Sequence, residues 1–311
     1  MNKAVSSPSL LRGMMLMAGC MMLLPGMDAI AKYMATYEGM SPGQVTFYRF
    51  FFQIAVTLPF LIATQGRKAL KAKRPGLNLL RGALHGAASL AFFMAVKYMP
   101  LADVFAIYFV EPFILTALSA AFLGDKVGWR RWLAILVGFG GAMIVIQPSW
   151  EIFGLTALLP VLCAFLFALY MFLNRALGDA DSPMTMQTMS GFGGTAFMAL
   201  AILAGSAAGH EDFIPSLPAN GLGLSLLVIL GALSGYLHLL VVKAFRMAPL
   251  SVLAPFQYFE IIAATILGYL LFGDFPTVSK WCGILIIVGS GLFILWREQR
   301  KTQKEPVLNP V

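Results

Sequence analysis

Apolar runs close to 20 residues long recur along the whole chain, separated by short polar stretches. A helix rises about 1.5 Å per residue, so such a run crosses the roughly 30 Å hydrocarbon layer of a bilayer. The pattern predicts ten spans, near residues 11–33, 44–64, 77–97, 101–123, 130–147, 154–173, 184–206, 221–242, 250–272 and 279–296. The expected fold class is all-α integral membrane, with no room between spans for a soluble domain. The first run follows Arg12 in the manner of a secretory leader, but Asp28 and Lys32 interrupt its end. It reads as a retained span.

The pattern also repeats. Residues 82–141 lie over residues 231–290 without a gap, at an offset of 149, and seventeen of the sixty positions are identical. Among them are Gly82/Gly231, Gly86/Gly235, Pro100/Pro249, Leu101/Leu250, Glu111/Glu260, Gly124/Gly273, Asp125/Asp274 and Trp132/Trp281. The organisation expected is a first five-span repeat over 1–148, a second over 149–297, and a polar, disordered tail over 298–311. Five is odd, so the second repeat enters the membrane inverted relative to the first. Inverted repeats provide two states of similar energy, one open to each side, around a central cavity. That is a transporter's requirement and not an enzyme's.

Charge placement gives the direction. With the N-terminus in the cytoplasm, eighteen Lys and Arg fall on the inner side, including the loop Arg67–Arg74. Only Lys32, Arg49, Lys97 and Lys280 fall on the outer side. This is a strong positive-inside bias, and it explains the basic loop without a nucleic-acid partner. The expected location is a cytoplasmic membrane crossed many times, with both termini inside. Composition agrees: 59% of residues are hydrophobic and 12% charged, against about 25% charged in soluble domains. Cys20, Cys163 and Cys282 are scattered, with neither a disulfide framework nor metal spacing. No metal or cofactor is implied, and there is no phosphate-cradling loop for ATP.

Four acids fall within predicted spans: Asp28, Asp103, Glu111 and Glu260. An ionised carboxylate at mid-bilayer costs about 2.5–3.5 kcal/mol on insertion scales, so these groups face an interior or water. Glu111 and Glu260 are repeat partners and the leading candidates to bind substrate, accept a proton, or both. Helical spacing puts Tyr108 beside Glu111, and Gln257 beside Glu260, at i,i+3. Tyr258 joins them among the candidates. The alternative role for the two acids is an inter-helix hydrogen bond that locks the fold. Arg49 is a candidate gate, with interface anchoring the preferred alternative. Asp28 is grouped with that gate and is expected to pair with Lys32 at i,i+4. His85 and His238 read as satisfied buried histidines. Pro112 and Pro255 predict broken or pliable helices near the acids. Gly82-x-x-x-Gly86, Gly231-x-x-x-Gly235 and the glycines of spans five and ten read as close-packing faces for sliding or for a homodimer.

The two five-span halves, Pro-Leu at 100–101 and 249–250, Gly-Asp at 124–125 and 273–274, and the Trp-rich openings of spans five and ten resemble the drug/metabolite transporter superfamily. Specifically, the chain is similar to the EamA-type ten-helix permeases. The resemblance implies alternating access around a cavity lined by spans three, four, eight and nine. Tyr48-Arg49-Phe50-Phe51-Phe52, Lys243-Ala244-Phe245 and Ala254-Pro255-x-x-Tyr258-x-Glu260 look like a bacterial uptake branch containing S-adenosylmethionine carriers and riboflavin importers. It implies a small-molecule substrate at the inner membrane, riboflavin slightly ahead of S-adenosylmethionine. Amino-acid or metabolite export by the same fold, and an intramembrane lipid-modifying enzyme, are the competing readings.

Overall fold

A computed structural model describes residues 7–122, 129–177, 181–218, 220–247, 256 and 259–304. Gln257, Tyr258, Pro249, Pro255, Gly124 and Asp125, singled out above, lie outside the described residues. The described residues form α-helices joined by three short 3-10 turns, and no strand occurs among them. In chain order the helices are α1 (Ser7–Thr36), α2 (Pro42–Gln65), α3 (Pro75–Tyr98), α4 (Leu101–Tyr108), α5 (Glu111–Phe122) and α6 (Trp129–Phe153). There follow α7 (Leu159–Leu177), α8 (Pro183–Ala207), α9 (Gly221–Met247), α10 (Phe259–Phe272) and α11 (Val278–Lys304). The last helix thus continues past residue 297, where the ordered chain was expected to end. Among the described residues, six stretches are each long and apolar enough to cross a bilayer.

The fourth span is split. α4 ends at Tyr108, a turn occupies Phe109–Val110, and α5 begins at Glu111. Pro112 stands second in α5, where a missing N–H costs least. Glu111 is therefore placed at a helix start inside the protein, where the helix dipole favours negative charge. The described part of α10 likewise begins just before Glu260.

The packing obeys an exchange of the two halves. α3 packs on α7 and α8, and their repeat counterparts do the same, α9 on α1 and α2. α1 packs on α10, and α7 on α5. α6 and α11, counterparts of each other, form a pair. Each half therefore buries its faces against the other rather than within itself. The glycines make this possible. A Cβ on Gly82 would lie 2.9 Å from Gly193 Cα and Ser190 Cα of α8. A Cβ on Gly235 would lie 2.9 Å from Thr57 Cγ2 of α2. One on Gly141 would lie 2.8 Å from Ile286 of α11. Gly82, Gly235 and Gly141, three of the glycines expected on close-packing faces, are used inside the chain, where small residues let helix backbones approach. Outward, large apolar side chains such as Leu133, Leu200, Leu203 and Leu270 are exposed, as a lipid-facing belt requires.

α2 and α8 begin with the same device. Ser41 and Ser182 are N-caps whose hydroxyls accept from Gln44 N at 3.3 Å and Thr185 N at 3.1 Å, each followed by Pro at the first helical position. The hydroxyl satisfies an otherwise orphaned helical N–H.

Candidate functional site

Arg49 lies two turns inside α2 and is 3% exposed. Its Nε donates to Ser234 Oγ of α9 at 3.0 Å, one terminal nitrogen donates to Ser89 Oγ, and the other to His85 Nε2 at 3.2 Å, both on α3. Phe50 and Phe93 flank the guanidinium, 4.9 and 5.7 Å from its carbon. The three acceptors are neutral. A guanidinium carries five N–H donors, so donors remain for a ligand. Asp28, 7% exposed, lies within Coulomb range of Arg49. The interface-anchor preference for Arg49 therefore gives way to a buried cation at the junction of the halves.

Arg donates only, so His85 Nε2 accepts. The neutral ring then carries its proton on Nδ1, which is buried without a hydrogen-bond partner. His238 Nδ1 donates to Ser234 O at 2.9 Å, and Ser234 Oγ donates to Gln53 Oε1 at 3.1 Å. The two histidine rings are 5.1 Å apart. His85 also stacks on Tyr170 of α7 at 4.5 Å and 24°. The expectation of a satisfied His85 fails at this one nitrogen.

From His85 an aromatic chain leads toward the acids. Phe167 lies 5.8 Å from His85 and 5.9 Å from Tyr108, and Phe92 and Phe105 pack edge-on against Tyr108 at 6.0 and 6.4 Å. Tyr108 is within Coulomb range of Glu111, Glu260 and Asp28 together. Glu111 is 5% exposed and its Oε1 has no hydrogen-bond partner, while Glu260 is half-buried. Glu111, Glu260, Tyr108, Asp28 and Arg49 thus share one interior region. That region joins one guanidinium, three carboxyl groups, aromatic faces, an unpartnered donor and an unpartnered acceptor.

At the end opposite the basic loop, cross-half ion pairs close the bundle. Lys32 does not pair with Asp28. It reaches Asp274 Oδ2 at 2.5 Å and Met99 O at 3.3 Å, above the Phe272 ring. The reason is the second Gly-Asp. Gly273, at φ 72°, terminates α10 in a left-handed cap, with its N–H on Tyr269 O at 3.0 Å and that of Asp274 on Gly268 O at 3.1 Å. This cap geometry favours glycine and fixes the next residue, so Asp274 is held within reach of α1. Beside it, Lys280 of α11 pairs with Asp103 of α4, with side chains 7% and 2% exposed. Lys97 pairs with Asp212 at 2.6 Å in a wetter setting.

Sequence reasoning missed His85, Ser89, Ser234 and His238 as a group. The signal was in the repeat. At the same offset of 149, His85 aligns with Ser234 and Ser89 with His238. One half carries His-x-x-x-Ser and the other Ser-x-x-x-His. A search for identity scores these positions as mismatches, although the pair is conserved by exchange. No group of three or more His, Cys, Asp or Glu arranged to hold a metal occurs among the described residues.

An all-helical membrane chain of two interlocked halves, with a charged interior closed at one end, has the architecture of a membrane carrier. The family model for the EamA-like transporter family matches residues 11–147 and again 154–296. The chain belongs to that family, a ten-helix membrane fold of transporters rather than enzymes. It is 31% identical over 278 residues to an S-adenosylmethionine uptake transporter of Rickettsia bellii (strain RML369-C), covering 89% of this chain and 91% of that protein. It is equally 31% identical, over 284 residues and the same shares, to a riboflavin transporter of Vibrio cholerae. A crystal structure superposes with a TM-score of 0.63 at 17% identity, covering 96% of this chain and 99% of the other. At that identity it speaks for the fold alone.

Proposed function

We propose that the chain imports S-adenosylmethionine, or a metabolite of the same make-up, by alternating access, with the basic end of the bundle in the cytoplasm. The observation that carries this is the shared interior of Arg49, Asp28, Glu111 and Glu260. Such a substrate joins a carboxylate to ammonium and sulfonium cations through a flat adenine. Arg49 matches the carboxylate, the three carboxyl groups match the cations, and Tyr108 or the His85–Tyr170 shelf matches the ring. The cations offset the cost of burying Glu111, whose Oε1 lacks a partner in the protein.

The sequence favoured riboflavin on its aromatics, and the stacked His85–Tyr170 pair keeps that reading alive for an isoalloxazine ring. Riboflavin carries no charge, however, and leaves the arginine and the acids without a counterpart. Uptake of both labelled compounds into proteoliposomes is the test. Saturable S-adenosylmethionine entry, competed weakly by riboflavin, is expected. Riboflavin entry alone transfers the assignment to riboflavin. Entry of neither, with movement of an amino acid out of the vesicles, replaces the uptake reading by export. The basic loop supports the cytoplasmic orientation, and impermeant labelling of Lys68 only in inverted vesicles is the matching outcome.

A further inference from the structure

One turn closer to the basic end than His85, on the same face of α3, lies Arg81. It is 2% exposed. One terminal nitrogen donates to Asn174 Oδ1 of α7 and the other to Met186 O of α8. Its guanidinium lies 5.5 Å over Tyr170, the ring whose neighbour His85 is held by Arg49. Arg49, His85, Tyr170 and Arg81 therefore form a column along the bundle, with a cation at each end. The Arg81 level lies about 6 Å nearer the basic end than the His85 level, from four residues of helical rise.

On α3 and α8, the two helices that Arg81 joins through Met186 O, the protein leaves donors unused. Arg81 Nε, Gln187 Nε2 and Ser190 Oγ are all buried and have no hydrogen-bond partner. Gln187 and Ser190 are 3% and 0% exposed and share a face of α8. Gly82 brings α3 against that face at Ser190, and Met186 on the preceding turn receives Arg81. Asp181 is in Coulomb range of Arg81, but its carboxylate oxygens are taken up by Lys73 N at 2.9 Å and Asn78 Nδ2 at 3.1 Å. The unmatched groups of Arg81, Gln187 and Ser190 can all donate, so they suit a ligand that only accepts. Asn78 Oδ1, on the same helix as Arg81, is an unpartnered acceptor.

The exchange of halves sharpens this. The Arg49 cluster joins α2 to α9 as well as to α3, and the exchange carries α2 and α9 onto α8 and α3. Counted from the matched Ser-Pro caps, Ser190 stands where Arg49 stands, eight residues on. The second polar cluster is thus the counterpart of the first, with the arginine supplied from the facing helix.

We propose that Arg81, Gln187 and Ser190 form an inner carboxylate subsite, which takes the anionic group of the substrate from Arg49 on its way to the basic end. The assignment to transport rests on the function proposed above, but the subsite is testable without transport. Purified protein is titrated with L-methionine and with L-methioninamide, which lacks the carboxylate, and its thermal unfolding is followed. Methionine is expected to stabilise the wild type and the amide to leave it unmoved. Ser190→Ala is the decisive variant, because it deletes a hydroxyl with no partner in the protein. A structural Ser190 loses nothing by it or gains stability. A ligand-facing Ser190 requires about tenfold more methionine for the same shift. Arg81→Lys keeps the charge but not the fork and should weaken the response similarly. Arg49→Gln should retain part of the carboxylate-dependent shift. A wild type indifferent to the carboxylate, or unchanged titrations in both Ser190→Ala and Arg81→Lys, overturns the subsite. Absence of S-adenosylmethionine uptake with these titrations intact overturns only the substrate.

Discussion

Lys280→Met isolates Asp103 in the closed end of the bundle. Both side chains of this pair are nearly inaccessible, 7% and 2% exposed. Removing one partner of such a pair costs about 3–5 kcal/mol, because the other charge stays buried and unpaired. A conformation in which Asp103 meets water escapes that penalty. The ratio of open to closed molecules should then rise by about 100-fold or more, at about 1.4 kcal/mol per tenfold. Cys163 is a native reporter. It is 3% exposed and lies within Coulomb range of Asp28, Arg49 and Glu111. With Cys20→Ala and Cys282→Ala as background, an impermeant maleimide added from outside should label Cys163 slowly in the parent and far faster in Lys280→Met. The swap Lys280→Asp with Asp103→Lys should restore slow labelling. Lys97→Met is the internal control, since its pair with Asp212 is partly exposed, 24% and 18%, and worth only about 0.2–1 kcal/mol. Equal labelling in Lys280→Met and its parent, with folding intact, would refute the claim that this pair holds the end shut.

Three further outcomes follow from the geometry. Arg49→Lys removes the Nε donor to Ser234 and the planar fork, so uptake should fall at least about tenfold at normal expression; wild-type rates would make Arg49 a bystander. Glu111→Gln keeps the shape and removes the charge, and S-adenosylmethionine uptake should be lost at every pH tested, whereas a purely structural Glu111 would leave rates within twofold or so. Gly82→Ala drives a methyl into the backbone of α8 and should cost about 1–3 kcal/mol, while Gly140→Ala, with nothing within 4 Å of the added carbon, should not. Matching thermal midpoints for these two alanine variants would contradict the close helix approach.

Much of the architecture was legible because membrane helices announce themselves locally. Apolar length marks the spans, and the broken fourth span followed from Pro112. The acids were legible because a carboxyl in an apolar run has few bland explanations. Arg49 was misjudged for a specific reason. Counting from the start of a span gives depth along the helix but not the face, and only the packing of α2 against α3 and α9 shows it turned inward. Lys32 was misjudged because i,i+4 spacing permits a pair with Asp28 without requiring one. Its true partner, Asp274, is 242 residues away and is presented by a cap at the far end of the other half. The Ser-Pro caps of α2 and α8 escaped notice because they sit at an offset of 141 rather than 149. An alignment fixed on the strongest stretch slides past them.

The exchange of His and Ser between the halves bears on how a near-symmetric frame handles an asymmetric substrate. Each half contributes one His and one Ser at the same level, so swapping the roles of the halves leaves that layer with the same groups. Glu111 and Glu260 do likewise at the acidic level, one from each half. The arginines do not. Arg49 on α2 and Arg81 on α3 both belong to the first half, and each reaches across to partners of the second, Ser234 in one case and Asn174 and Met186 in the other. Under the proposed alternating access both cations travel with the first half, Arg49 together with His85 and Ser89, while Ser234, Asn174 and Met186 stay with the second. Under the proposed function the substrate's cationic end would meet matched acids in either state, and its anionic end a different second-half surface at each arginine. In the proposed cycle, handover from Arg49 to Arg81 lets the carboxylate change level without facing the apolar interior unpaired, the step that hydrocarbon would otherwise make most costly.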